Sequence, residues 1–266
     1  MGCEEKLYAI REVSELTGIK PVTLRAWQRR YNIIQPQRTE KGHRLYTYDH
    51  IEQIRVIQGW LEKGVAIGKV KALLESGQIP EVMESDVVAP LDEVETTLGA
   101  LAQLNRHKSE ATLSLVFKEY PMEIIESRYL QPIFDSIAQV KRSQQTLQIG
   151  MFQSLLLSRL TLILEAENKA ARNGKCLLVS YDSVGSIEMR LWALGLVDRG
   201  YSISFIEGVE DLSGLSANLG LDKYAMLAVY ASQAPSKAQL PSIEELSHSL
   251  GSQLTTSPLI TTLMAA

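Results

Sequence analysis

A chain of 266 residues with 45% apolar and 22% charged side chains can build two or three cored domains and is too apolar for wholesale disorder. It shows no unbroken apolar run near twenty residues, no apolar segment in the opening MGCEEKLY, and two distant cysteines, Cys3 and Cys176. A membrane span, a secretion signal and a disulfide framework are therefore not expected, and a cytoplasmic setting is. The net charge of −4 conceals an uneven distribution: residues 1–80 carry 13 basic and 9 acidic side chains, the remainder 14 basic and 22 acidic.

The first elements form a basic head. In YAIREVSELTGIKPVTLRAWQRRY, Ile10, Val13, Leu16 and Ile19 recur at three-residue steps, which predicts a short helix with one apolar face. Gly18 suits the turn that ends it, and Pro21 suits the first turn of a second helix. Val22, Leu24 and Trp27 are expected to face inward at least in part. Thr23, Arg25, Ala26, Arg29 and Arg30 lie elsewhere around the cylinder, as on a helix that reads a major groove. Residues 38–48, RTEKGHRLYTY, then predict a β-hairpin: Gln37–Thr39 and Arg44–Tyr46 extended, with Gly42 supplying the positive φ of the turn. Thr47 or Asp49 can cap the next helix, whose apolar face runs Ile51, Ile54, Ile57 and Leu61. A further short helix carries Ile67, Val70, Leu73 and Leu74.

Residues 20–44 hold Lys20, Arg25, Arg29, Arg30, Arg38, Lys41 and Arg44 against Glu40 alone. Such a cluster can serve nucleic acid, a phosphate loop or half a metal site. The last two lack their parts. There is no GxxxxGK[ST] run, and His43 and His50 have no cysteine beside them and no further histidine before His107. No GxSxG, HExxH or Cys–His signature occurs, so neither a metal nor a catalytic site is expected, and the chain reads as a non-enzyme.

TLRAWQRRY, PQRT, GHRLYTYDHIEQIRVIQGWLEKGV and IGKVKALL resemble, in order and spacing, the winged-helix DNA-binding domain of the MerR family of bacterial transcription regulators. The wording is closest to the MlrA-like subgroup of curli and biofilm activators. The resemblance implies a homodimer on a palindromic site in double-stranded promoter DNA, acting with RNA polymerase. It also implies contacts by Thr23 and Arg25 on the major-groove side and by Trp27, Arg29 and Arg30 along the backbone. The wing residues Arg38, Lys41, His43, Arg44 and Tyr46 complete the grip.

The body follows a linker. Residues 1–76 form the head and 77–90, polar and proline-bearing, the linker. Residues 91–172 read as about four helices of a bundle, the last of them apolar on most faces and expected to be central. Residues 173–266 alternate short apolar runs (KCLLVSY, YSISFIEG, AMLAVYA, QLTTS) with helical stretches, including DLSGLSANLG. This alternation predicts a parallel, Rossmann-like α/β domain. The fold class is thus multidomain, α and α/β. A ligand or partner of such a sheet meets the C-terminal strand ends, here Asp182, Ser183, Gly185, Ser186, Glu207 and Gly208. Cys176, Met189, Trp192 and Trp60 read as packing, and Asp182 as a ligand residue or a helix cap.

Bundle plus sheet domain also resembles the cobalamin-binding module of some MerR-type photoreceptors. That module has a cobalt-ligating histidine in its first strand–helix loop, where this chain has DSVGSIEM with Gly185 near its place. Lys141 and Met151-Phe152 stand where the bundle's tryptophan and Glu-His would be. No cofactor is therefore expected. Two functions stay open: a regulator whose body docks a signalling protein, and a sensor whose sheet domain binds a nucleotide-like or tetrapyrrole ligand.

Overall fold

The computed structural model describes residues 6–77, 89–216 and 221–265. Most of the expected linker and the end of DLSGLSANLG lie outside them. The chain divides into two compact units, Met1–Phe152 and Gln153–Ala266. This differs from the expected boundaries because head and bundle share buried contacts.

In the first unit, β1 (Tyr8–Ala9) leads into α1 (Ile10–Thr17), and α2 (Pro21–Ala26) continues as a π-helical turn, Trp27–Tyr31. Gly18, at φ 74°, closes α1 with its N–H on the Ser14 carbonyl at 2.8 Å. Leu16 and Val22 are exposed, at 50% and 45%, against expectation. The helix stops at Thr17, and steps of three alone drift around a 3.6-residue cylinder, so Leu16 leaves the face that Val13 holds.

The wing is β2 (Gln37–Arg38) and β3 (Arg44–Tyr46), antiparallel, with β1 as a third strand on the other edge of β3. Gly42 takes φ 79° in the turn, and the Thr39 and His43 backbones bond across it at 2.9 Å. Thr47 caps α3 (Tyr48–Glu62), accepting from the His50 N–H at 3.3 Å. After α4 (Ile67–Glu75), the bundle is built from α5 (Glu93–Ala102), α6 (Arg106–Glu119) and a rod of α7 (Met122–Ile125), a π turn and α8 (Gln131–Ala138).

The fourth rod, α9 (Arg142–Asn168), runs on into the second unit. It is long and apolar enough to cross a membrane by length and composition, although polar residues break every run in the sequence. It buries Gln148, Phe152, Leu155, Leu156, Leu160 and Leu164 along one stripe while Leu147 and Leu162 are exposed, so it is not the fully enclosed helix its composition suggested.

The second unit holds β4 (Lys175–Ser180), α10 (Ile187–Asp198), β5 (Ser202–Glu207), α11 (Ser213–Ser216), β6 (Met226–Tyr230), α12 (Leu240–Leu250), β7 (Leu254–Thr256) and α13 (Pro258–Met264). All four strands are parallel in the order β5-β4-β6-β7. Leu177, Val179, Leu227 and Val229 cover one sheet face with Ile243, Leu246 and Ile260 from the helices, the two-residue period of strands buried on both sides.

Candidate nucleic-acid interface

The wing is tied to the second helix by one side-chain bond. Arg44 Nε donates to Gln28 Oε1 at 2.6 Å, so the hairpin and the α2 segment share an edge. Arg25, Arg29, Arg38 and Arg44 gather along it. Burial first, then the like charges of Arg38, Arg25 and Arg29, pull the Arg44 guanidinium below its ordinary value. Among the described residues these four arginines are absent from every ion pair. Concentrated positive charge without an internal counterion attracts a polyanion. Lys41 and His43, exposed at the wing tip, extend the same edge.

Four other expected contact residues lie differently. Thr23 is buried in α2, Trp27 is fully buried, and Tyr46 is 1% exposed with its ring edge-on to His50. Their side chains belong to the packing beneath the edge, with Trp27 and Tyr46 among its bulkiest buried groups. Arg30 points to the bundle instead. Its guanidinium pairs with Glu119, the last residue of α6, whose carboxylate is fully buried. Tyr31 Oη donates to the other Glu119 oxygen at 2.6 Å, and Trp27 Nε1 donates to the Glu119 carbonyl at 2.8 Å. The sequence held no signal for Glu119, since the partners lie about ninety positions apart.

A second link joins head to bundle. Arg128, 1% exposed, donates from Nη1 to the Leu61 carbonyl at 2.6 Å and from Nε to the Ala89 carbonyl at 2.8 Å. A cation is favoured at Leu61, because the last carbonyls of α3 have no intrahelical partner. Gly64, at φ 97°, lies against the same guanidinium, and a Cβ there would stand 2.5 Å from Nη2.

In the second unit the six expected residues do come together at the C-terminal strand ends. Asp182 accepts the Ser232 N–H at 2.9 Å and the Ser186 hydroxyl at 3.0 Å, and its carbonyl takes the Gly208 N–H at 2.9 Å. This bridges the β4 and β6 loops at the point where strand order reverses. Ser186, not Asp182, caps α10, accepting from Met189 N at 3.2 Å. The Ser183 carbonyl accepts from Ser186 N. Glu207 takes the Gly185 N–H at 2.8 Å and both arms of Arg190, at 2.8 and 3.0 Å. Carboxylates, hydroxyls and amides at this crevice thus satisfy one another. No group of three or more His, Cys, Asp or Glu suited to a metal ion occurs among the described residues.

Residues 8–77 match the MerR HTH family regulatory protein domain. The chain is 33% identical over 204 residues to the HTH-type transcriptional regulator MlrA of Salmonella typhimurium LT2, covering 75% of this chain and 79% of that protein. Against MlrA of Escherichia coli K12 the figures are 34% over 205 residues with the same coverage. The HTH-type transcriptional repressor CarH of Myxococcus xanthus is 35% identical over 83 residues, 31% of this chain and 27% of the repressor.

Proposed function

The chain belongs to the MerR family of helix-turn-helix regulators and is a DNA-binding regulator of transcription; from that premise we propose how it holds its site. Arg25 reads base edges from the α2 segment. Arg29, Arg38, Lys41, His43 and Arg44 hold phosphates on either side of it. The observation that carries this reading is the crowding of four arginines on one edge with no ion-pair partner among the described residues. Thr23, Trp27 and Tyr46 support that edge from beneath.

The working form we propose is a cytoplasmic homodimer on a palindromic promoter site, engaging RNA polymerase as an activator, with α9 serving as a core helix. Control of biofilm and curli matrix genes follows from the MlrA-like wording. The α/β unit takes in its signal by docking a protein. Its first strand–helix loop offers Asp182, Ser186 and Gly185, each bonded within the unit, and no imidazole, a donor set that does not fit cobalt ligation.

The test is selection of fragments from sheared genomic DNA by the purified chain, then titration at several salt concentrations. Arg25→Ala should lose about tenfold or more in discrimination between selected and random DNA. Arg44→Ala should weaken both alike and lower the salt slope by about 0.9. Equal losses on both DNAs for Arg25→Ala would remove it from base reading. Tetrapyrrole absorbance in the purified chain would replace docking with ligand sensing.

A further inference from the structure

The Glu119 carboxylate stands where physical chemistry disfavours it. It is the last residue of α6, at the negative end of the helix dipole, and it is fully buried. A dry anion there persists only when opposing charge and hydrogen bonds offset its desolvation. Among the described residues, the side chains bonded to Glu119 come from one stretch of the head. Trp27, Arg30 and Tyr31 are spaced i, i+3, i+4, the interval that puts side chains on one helical face. Arg30 answers the charge, the Tyr31 hydroxyl takes the second oxygen, and the Trp27 indole takes a carbonyl that α6 leaves without an intrahelical donor.

The same stretch is π-helical and ends at Asn32 in the left-handed region, φ 54°. A π turn moves residues around the axis relative to an α-helix, and such turns gather at functional sites. Upstream, Arg25 and Arg29 belong to the basic edge with Arg38 and Arg44. The α2 segment therefore presents two kinds of arginine: those on the edge, in no ion pair among the described residues, and Arg30, whose charge is already matched from the bundle.

We propose that Glu119 is a positioning residue for DNA recognition: it takes Arg30 out of phosphate binding and seats the recognition helix on the bundle through Trp27, Arg30 and Tyr31. Arg30 is thus a handle by which the body holds the reading head. DNA binding itself is the function stated above, and the proposal rests on it. A change in α6 reaches the α2 segment through this contact without crossing the wing.

The salt slope of DNA binding separates the two roles of arginine, because each phosphate contact adds about 0.9 to it. Arg30→Ala, Glu119→Gln and the double variant are titrated against the selected site in the full-length chain, with thermal unfolding run beside them. Arg30→Ala is expected to keep the parental slope while losing specific affinity, since the helix loses its seat. Glu119→Gln frees the guanidinium and should steepen the slope by about 0.9, and the double variant should return it to the parental value.

A slope lowered by about 0.9 in Arg30→Ala alone would make Arg30 an ordinary phosphate contact and overturn the proposal. So would a Glu119→Gln protein that folds and keeps the parental slope. If Glu119→Gln fails to fold, the half-exposed Arg30 still decides, because its replacement leaves Tyr31 on the carboxylate. The parent's preference for its site over random DNA, read in the same titrations, stands or falls separately from these slopes.

Discussion

The Tyr46 hydroxyl is buried with no hydrogen-bond partner among the described residues. Burial raises the phenol above its ordinary value, so it stays neutral. A hydroxyl left dry costs about 1–3 kcal/mol. Tyr46→Phe should therefore raise the free energy of unfolding by about 1 kcal/mol in urea titration, with DNA affinity changed by no more than about twofold. A tenfold loss of affinity would mean that the duplex draws the hydroxyl into contact. At this scale the sequence was legible where the backbone dictates the residue: Gly42 in the wing turn, Gly18 after α1, Thr47 at the α3 cap. It was silent where a partner lies far along the chain. Nothing near Trp27 or Arg30 announces Glu119, and the inward face expected for Trp27 says nothing of which element it meets.

Between β5 and α10 the Arg190–Glu207 pair closes the edge of the sheet, each side chain 11% exposed. Burial works to raise the Glu207 carboxyl. Arg190 and the Gly185 N–H outweigh that and hold it below its ordinary 4.5. A carboxylate depressed in the fold contributes stability above its unfolded value and loses it as pH falls through the folded one. The second unit should thus lose stability as pH drops below 4.5, followed by calorimetry, and Glu207→Gln should flatten that dependence at the cost of stability at neutral pH. If the melting of Glu207→Gln keeps the parental acid profile, another group carries it. The strands and helices around this pair were readable because short apolar runs alternate with longer helical stretches there. The two-residue β1 was not, nor were the π turns at Trp27–Tyr31 and Glu126–Leu130, which arise from tertiary packing rather than local propensity. The solvent-facing leucines of α9 were hidden for a related reason: composition counts apolar residues without saying which side they occupy.

Across the whole chain, a basic head and an acidic remainder were visible from charge alone, while the use of the basic cluster took pattern and resemblance to read. The division into units was not, because a stretch rich in proline and polar residues looks like a boundary whether or not the flanking elements pack together. Cys176 offers a probe of the second unit. It sits fully buried in β4, and burial pushes its thiol up to about 12. In a Cys3→Ser chain the remaining thiol should react with a thiol reagent at about pH 8 only as that unit opens, and so track its unfolding. Rapid labelling of the folded chain would contradict the burial.

The buried contacts of Glu119 and Arg128 also limit how this head could be transplanted. Fused to a foreign effector at residue 76, it would arrive with Trp27, Arg30 and Tyr31 facing nothing and with the end of α3 stripped of its cation. Interchangeable parts in a chimera would have to keep α6 and the rod that carries Arg128 together with the head.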